Sequence, residues 1–168
     1  MLRHRCHGID VGIDFLAGVR HGHPHRRRNG VLMNTSTSHI LVPAPVGIVR
    51  QILLEPTELA EWNPAFRSVK GPAQALIGRR YPLVARGALR GHWEYLSIGE
   101  SLIEGRWEVP GLTETNSWSL VSRDEGTHVT HSFTHQGGLA ALLRPSFAGV
   151  ADLRLDRLAE RARRRAQA

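Results

Sequence analysis

From Gly78 to His135 the chain alternates apolar and polar residues in five successive runs, with too few residues between them for an intervening helix. Tyr81, Leu83 and Ala85 share one parity of the run 78–86. Trp93 and Tyr95 share one in 92–98, and Ile103, Trp107 and Val109 one in 102–109. Trp118 and Leu120 mark the run 113–121, and Val129, His131 and Phe133 mark 127–135. A period of two places each set on a single face of a strand. Strands in close succession must pair antiparallel, because a parallel pair needs a crossover of roughly a dozen residues or more. Pro110-Gly111 and Asp124-Glu125-Gly126 have the composition of tight turns between such strands. The pattern therefore predicts an antiparallel meander with one apolar face, preceded by a short strand at Phe66–Lys70.

What lies on either side says how that face is covered. His39–Val42 reads as a first strand, closed by Pro43. Pro45 then suits a helix start, and Val46, Val49, Ile52 and Leu53 recur at helical spacing through Leu54. A second short helix is expected over Glu55–Glu61. Trp62-Asn63-Pro64 ends it, because the residue before a proline is pushed out of the helical region. After Gly137-Gly138 a stripe of Leu139, Leu142, Leu143, Phe147, Val150, Leu155, Leu158 and Ala162 predicts a terminal helix, bent or restarted at Pro145. The expected fold is α+β, with a curved antiparallel sheet wrapped around a long C-terminal α-helix and two short helices after the first strand. A helix lying in the hollow of a bent sheet buries a core and can leave a pocket.

Charge bears on partners through its distribution. Residues 1–32 carry +4 and residues 152–168 carry +3, whereas residues 33–151 hold ten charges of each sign. The body has no basic stripe for reading nucleic acid, and no nucleic-acid partner is expected. Residues 1–33, with five histidines and the run Arg26-Arg27-Arg28, read as a disordered basic tail preceding one domain over 34–166. His21, His23 and His25 in that tail lack the frame a metal site needs, and no metal or other cofactor is expected. No apolar run is long enough to span a bilayer. The lone Cys6 rules out an intrachain disulfide and fits a cytoplasmic protein.

The phrase HILVPAPVGIVRQIL, the EWNPAF junction, the DEGTHVTHSF hairpin and the long final helix together resemble the polyketide cyclase/dehydrase and lipid-transport family, a branch of the START-like helix-grip superfamily. The resemblance runs over about residues 38–166. It implies a sheet gripping the last helix over a hydrophobic cavity. It also implies a small hydrophobic partner such as a lipid, polyketide or aromatic molecule. Some members of that superfamily are cyclases or dehydratases and others only bind or carry. It supplies no universal catalytic residue, so no catalytic position transfers.

Candidate site residues follow from parity. His131 shares a face with Val129 and Phe133, and an imidazole inside an apolar cavity could move a proton or orient a carbonyl. The alternative is a core histidine satisfied by a backbone carbonyl. Tyr81, Trp93, Tyr95, Trp107 and Trp118, with Phe133 and Phe147, are the candidates to wall a ligand site, against the alternative of plain core packing. Glu104, Arg106 and Glu108 face the other way and read as a solvated face or cross-strand ion pairs. The basic helix end at Arg161 and Arg163–Arg165 reads as a solvated terminus, with an interaction surface as the lesser alternative. The two leading functional expectations are a hydrophobic-ligand binder and an aromatase/cyclase-type enzyme. The oligomeric state is left open.

Overall fold

The computed structural model describes residues 34–168. The tail expectation, its histidines and Cys6 lie outside those residues. Strand β1 (Asn34–Val42) is followed by helix α1 (Val46–Leu53), a 3-10 turn (Pro56–Glu58) and helix α2 (Leu59–Trp62). Six strands follow: β2 (Phe66–Val69), β3 (Arg80–Ala85), β4 (Arg90–Ile98), β5 (Leu102–Val109), β6 (Leu112–Arg123) and β7 (Gly126–Gln136). The chain ends in a short helix α3 (Gly138–Leu142), a 3-10 turn (Arg144–Phe147) and the long helix α4 (Val150–Ala166).

All seven strands form one antiparallel sheet in the order β1-β7-β6-β5-β4-β3-β2. The meander from β2 to β7 is sequential, and β1 closes beside β7 across the far edge. Burial alternates along β6 as far as Leu120 and along the whole of β7, so one face of each is core and the other is outward. This is the curled helix-grip sheet, with α4 held in its hollow.

Each local choice has a cause in the chain. Asn63 takes an extended conformation ahead of Pro64 and ends α2, and its side chain accepts a hydrogen bond from the Ala65 amide. Gly126 sits at φ 142° where β7 begins, and a Cβ there would lie 2.1 Å from the Val42 carbonyl oxygen. Only glycine lets the two strands approach at that corner.

The expected terminal helix is more broken than the stripe suggested. Pro145 opens a 3-10 turn, and Gly149 adopts a left-handed φ of 72° before α4 starts at Val150. Leu142, placed on the inward stripe, is 76% exposed. Within 138–149 only Ala140 is buried. The gripping helix is therefore α4 alone, through Ala151, Leu155, Leu158, Ala159 and Ala162.

At the basic end of α4, Arg163 and Arg164 are solvated as expected, whereas Arg161 and Arg165 are drawn into ion pairs with another part of the chain. Arg161 pairs with Glu58 and with Glu61 of α2, and Arg165 with Glu55 and Glu58, the two glutamates of the segment joining α1 to α2. Arg163 and Arg164 reach Glu160 on the helix itself. On the outer face Arg106 bonds Glu94 across to β4 at 2.9 Å, the cross-strand ion pair that its parity called for, and lies 3.3 Å from Glu108 on its own strand.

Candidate functional site

The strand register builds a polar cluster into the hydrophobic interior. Glu114 lies directly opposite His135, Asn116 opposite Phe133, and Trp118 opposite His131, all on the inward face of β6 and β7. Helix α4 brings Arg154 down onto them, one turn before Leu158 on the same buried face. Glu114 and His131 are fully buried, and Arg154, His135 and Asn116 are at most 4% exposed.

The guanidinium grips the carboxylate through two parallel bonds, Nη1 to Oε1 at 2.8 Å and Nη2 to Oε2 at 2.9 Å. Such forked pairs are the strong form of ion pair. His135 Nε2 donates to Glu114 Oε2 at 2.7 Å, and Asn116 Nδ2 donates to Oε1 at 3.2 Å. Burial alone would raise the Glu114 pKa. Arg154 and His135 outweigh it and hold the carboxyl well below the usual carboxylate range.

His131 is committed on both ring nitrogens. Arginine can only donate, so Arg154 Nη1 at 3.2 Å makes His131 Nε2 an acceptor. Nδ1–H must then donate to the Ser117 carbonyl at 3.1 Å. Burial, then the neighbouring Arg154 charge, push its pKa down to about 3. The ring is neutral near pH 7 and stacks on Trp118 at 3.6 Å between centroids. As a proton carrier, the role raised for it from parity, it is poorly placed. His135 differs: Glu114 fixes Nε2, and buried Nδ1 has no protein partner. Phe147 lies across this imidazole at 3.8 Å.

Beside the cluster, between the sheet and α4, is an enclosed cavity of about 10 Å³. That is room for roughly one water molecule, far below the 300–1,000 Å³ typical of a small-molecule pocket. Trp62, Trp93, Tyr95 and Trp118 wall it, and Asn116 and Arg154 supply its polar side. The hydrophobic cavity expected here thus exists in position, but side chains fill it. Gly105 helps to fill it, because a Cβ there would stand 2.5 Å from the Trp93 ring. The indole occupies the space that the missing side chain leaves.

The aromatic candidates divide accordingly. Trp93, Tyr95 and Trp118 line the cavity, while Tyr81, Trp107 and Phe133 are buried outside its lining. Phe147 is half-buried over His135. Both tyrosine hydroxyls are spent on backbone: Tyr81 donates to the Gln74 carbonyl and accepts from the Leu76 amide, and Tyr95 donates to the Leu53 carbonyl at 2.7 Å. Burial pushes the Tyr95 phenol pKa up, which keeps it protonated. Sequence reasoning missed Glu114, Asn116 and Arg154 as members of this site. The signal was available: Glu114 and Asn116 share the parity of Trp118 and Leu120. Arg154 falls four residues before Leu158 on the helix stripe.

An antiparallel sheet curled around one long helix, with polar groups buried at their interface, defines the helix-grip class. Within it, the chain belongs to the family described as polyketide cyclase / dehydrase and lipid transport, which it matches over residues 33–163. That membership supports a ligand-binding or cyclase role. No curated protein matches the chain. Among solved structures, the di-domain ARO/CYC StfQ of the steffimycin biosynthetic pathway superposes with a TM-score of 0.64 at 14% identity. The match covers 82% of this chain and 53% of that one, so this chain spans about half of StfQ. MLL2253 from Mesorhizobium loti gives 0.62 at 16% identity over 78% and 98% of the two chains. DynU16, encoded in the dynemicin biosynthetic locus, gives 0.57 at 20% identity over 75% and 46%. At these identities the likeness is one of fold. No helix among the described residues is long and apolar enough to cross a membrane. Among the same residues, no group of three or more histidine, cysteine, aspartate or glutamate side chains is arranged to hold a metal ion.

Proposed function

We propose that this protein binds a small hydrophobic molecule between its sheet and α4, with the polar end of the guest at the Arg154 side. The observation that carries this reading is the asymmetry of the interior, with indole and phenol walls on one side and a buried Arg154–Glu114 pair on the other. Family membership supports it. A buried ion pair is a poor route to stability, since apolar side chains of similar volume do as well or better. Its presence in an otherwise apolar core therefore favours a binding role. A guest must displace part of the wall. The test is titration with N-phenyl-1-naphthylamine, followed by native mass spectrometry of freshly purified protein. Saturable binding of one probe per chain, displaced by fatty acids or aromatic ketones, is expected. No saturable binding and no co-purified molecule would remove the reading.

A second reading, a cyclase-type enzyme, is favoured by one observation. His135 is oriented by Glu114 through one nitrogen and keeps the other free of protein partners. That is the arrangement of a general base held by a carboxylate. In this reading the proton leaves a guest carbon for His135 Nδ1, not for His131. His135→Gln would abolish turnover of a poly-β-ketone substrate and leave probe binding intact. Full turnover in that variant would exclude His135 as the base.

A further inference from the structure

Four buried polar atoms without a protein partner belong to residues that line this small cavity: Trp62 Nε1, Trp93 Nε1, Arg154 Nε and Asn116 Oδ1. None of these residues is more than 4% exposed. Buried polar groups are nearly always paired, so four exceptions around a single small space call for an explanation. The identity of each atom is fixed by chemistry. Indole and guanidinium nitrogens only donate. Asn116 faces the Glu114 carboxylate with its Nδ2, because a carboxylate only accepts, and that leaves Oδ1 as an acceptor beside the cavity.

We infer that this cavity is a subsite for a single hydroxyl oxygen, which accepts from two of the N–H groups of Trp62, Trp93 and Arg154 and gives its proton to Asn116. The inference rests on the interior-binding reading and names the chemistry of the guest: a phenol or enol on an apolar, ring-bearing body. A hydroxyl carries one proton and two lone pairs, so it can satisfy the acceptor and two of the three donors. A ketone leaves Asn116 Oδ1 unanswered, and a hydrocarbon leaves all four atoms so. The volume of about 10 Å³ suits one oxygen atom. The flanking indoles suit the flat ring that would carry it once the wall retreats. A water molecule has the same chemistry and is the resident expected when no guest is bound.

The experiment compares 2-naphthol with 2-methylnaphthalene, which has nearly the same shape and no hydroxyl, by calorimetry on the full chain. The alcohol is expected to bind at least about tenfold more tightly, the ratio that one well-made hydrogen-bond set against an unanswered one supports. Trp62→Phe and Trp93→Phe should each bring the ratio toward one; circular dichroism would confirm that both variants fold. Water-to-indole Hε1 cross-relaxation in the guest-free protein should show a long-lived water beside both tryptophans. Equal affinity for the two naphthalenes would overturn the hydroxyl subsite and leave interior binding standing. Binding of neither, with the long-lived water present, would sink interior binding and retain the site as a structural water site. Binding of neither without that water would overturn both.

Discussion

Helix α4 carries two kinds of arginine clamp seven residues apart, and the contrast separates what holds this fold from what gives it a site. Arg154 and Glu114 are 2% and 0% exposed at their side chains, meet in a two-pronged bond, and share their neighbours with two histidines and an asparagine. Arg161, two turns on, meets Glu58 and Glu61, whose side chains are 34% and 58% exposed. The chemistry is the same and the solvent is not. Water screens the outer pairs and leaves them worth about 0–1 kcal/mol. The inner pair is shut off from bulk solvent, so loss of one partner leaves the other charge buried and uncompensated.

The sharpest way to break the contrast is Arg154→Ala. It strands the Glu114 carboxylate in an apolar interior and should lower unfolding free energy by about 3–5 kcal/mol, read from urea titration. The double variant Arg154→Met with Glu114→Met should recover most of that loss. If Arg154→Ala cost no more than Arg161→Ala, the distinction between inner and outer clamps would fail.

Acid offers a gentler probe of the inner cluster. The folded-state pKa of His131 is about 3, below its ordinary 6.5. The unfolded chain therefore binds the extra proton first, so the contribution is complete above about pH 6.5 and declines as pH falls toward 3. Between pH 7 and pH 5 the loss from this group should be about 2 kcal/mol. Glu114 has the same sign, because its folded pKa also lies below the ordinary value of 4.5, and its contribution begins to fall below that pH. Arg154 and His135 are the other titratable groups facing this pair. Thermal melts from pH 7 to pH 4 should show the steepest decline in the wild type and a shallower one in His131→Gln.

The smallest effect belongs to the outer clamp. Arg161→Ala and Arg165→Ala should each cost no more than about 1 kcal/mol, and raising salt to molar levels should erase most of the difference from wild type. The Arg154→Ala deficit should persist at the same salt. Convergence of the two deficits in high salt would show that the inner pair is open to solvent.

The same contrast explains what could be read in advance. Strand placement followed from alternation because the sheet has one dry face: Ile103, Trp107, Trp118, Leu120, Val129 and Phe133 all fall where their parity puts them. The helix stripe held from Leu155 onward, where apolar burial decides orientation. It failed at Leu142, because Pro145 and the left-handed Gly149 break the helix before the stripe can seat it. The polar cluster escaped because a charged residue on an apolar face looks like noise until its partner is found. Glu114 and Arg154 are forty positions apart, and only the paired strands and the seated helix bring them together. The pairing of Arg161 and Arg165 escaped for a related reason: their glutamates lie about a hundred residues away along the chain.

Gly137 and Gly149 both carry positive φ angles and bracket a stretch with one buried side chain. Beyond that stretch α4 is tied to the sheet by Arg154 and to the α1–α2 segment by Arg161 and Arg165. The covalent link between sheet and helix is thus nearly dispensable. A chain ending at Gln136, mixed with a synthetic peptide of residues 149–168, ought to reassemble as a two-piece protein whose grip is switched on by adding the peptide.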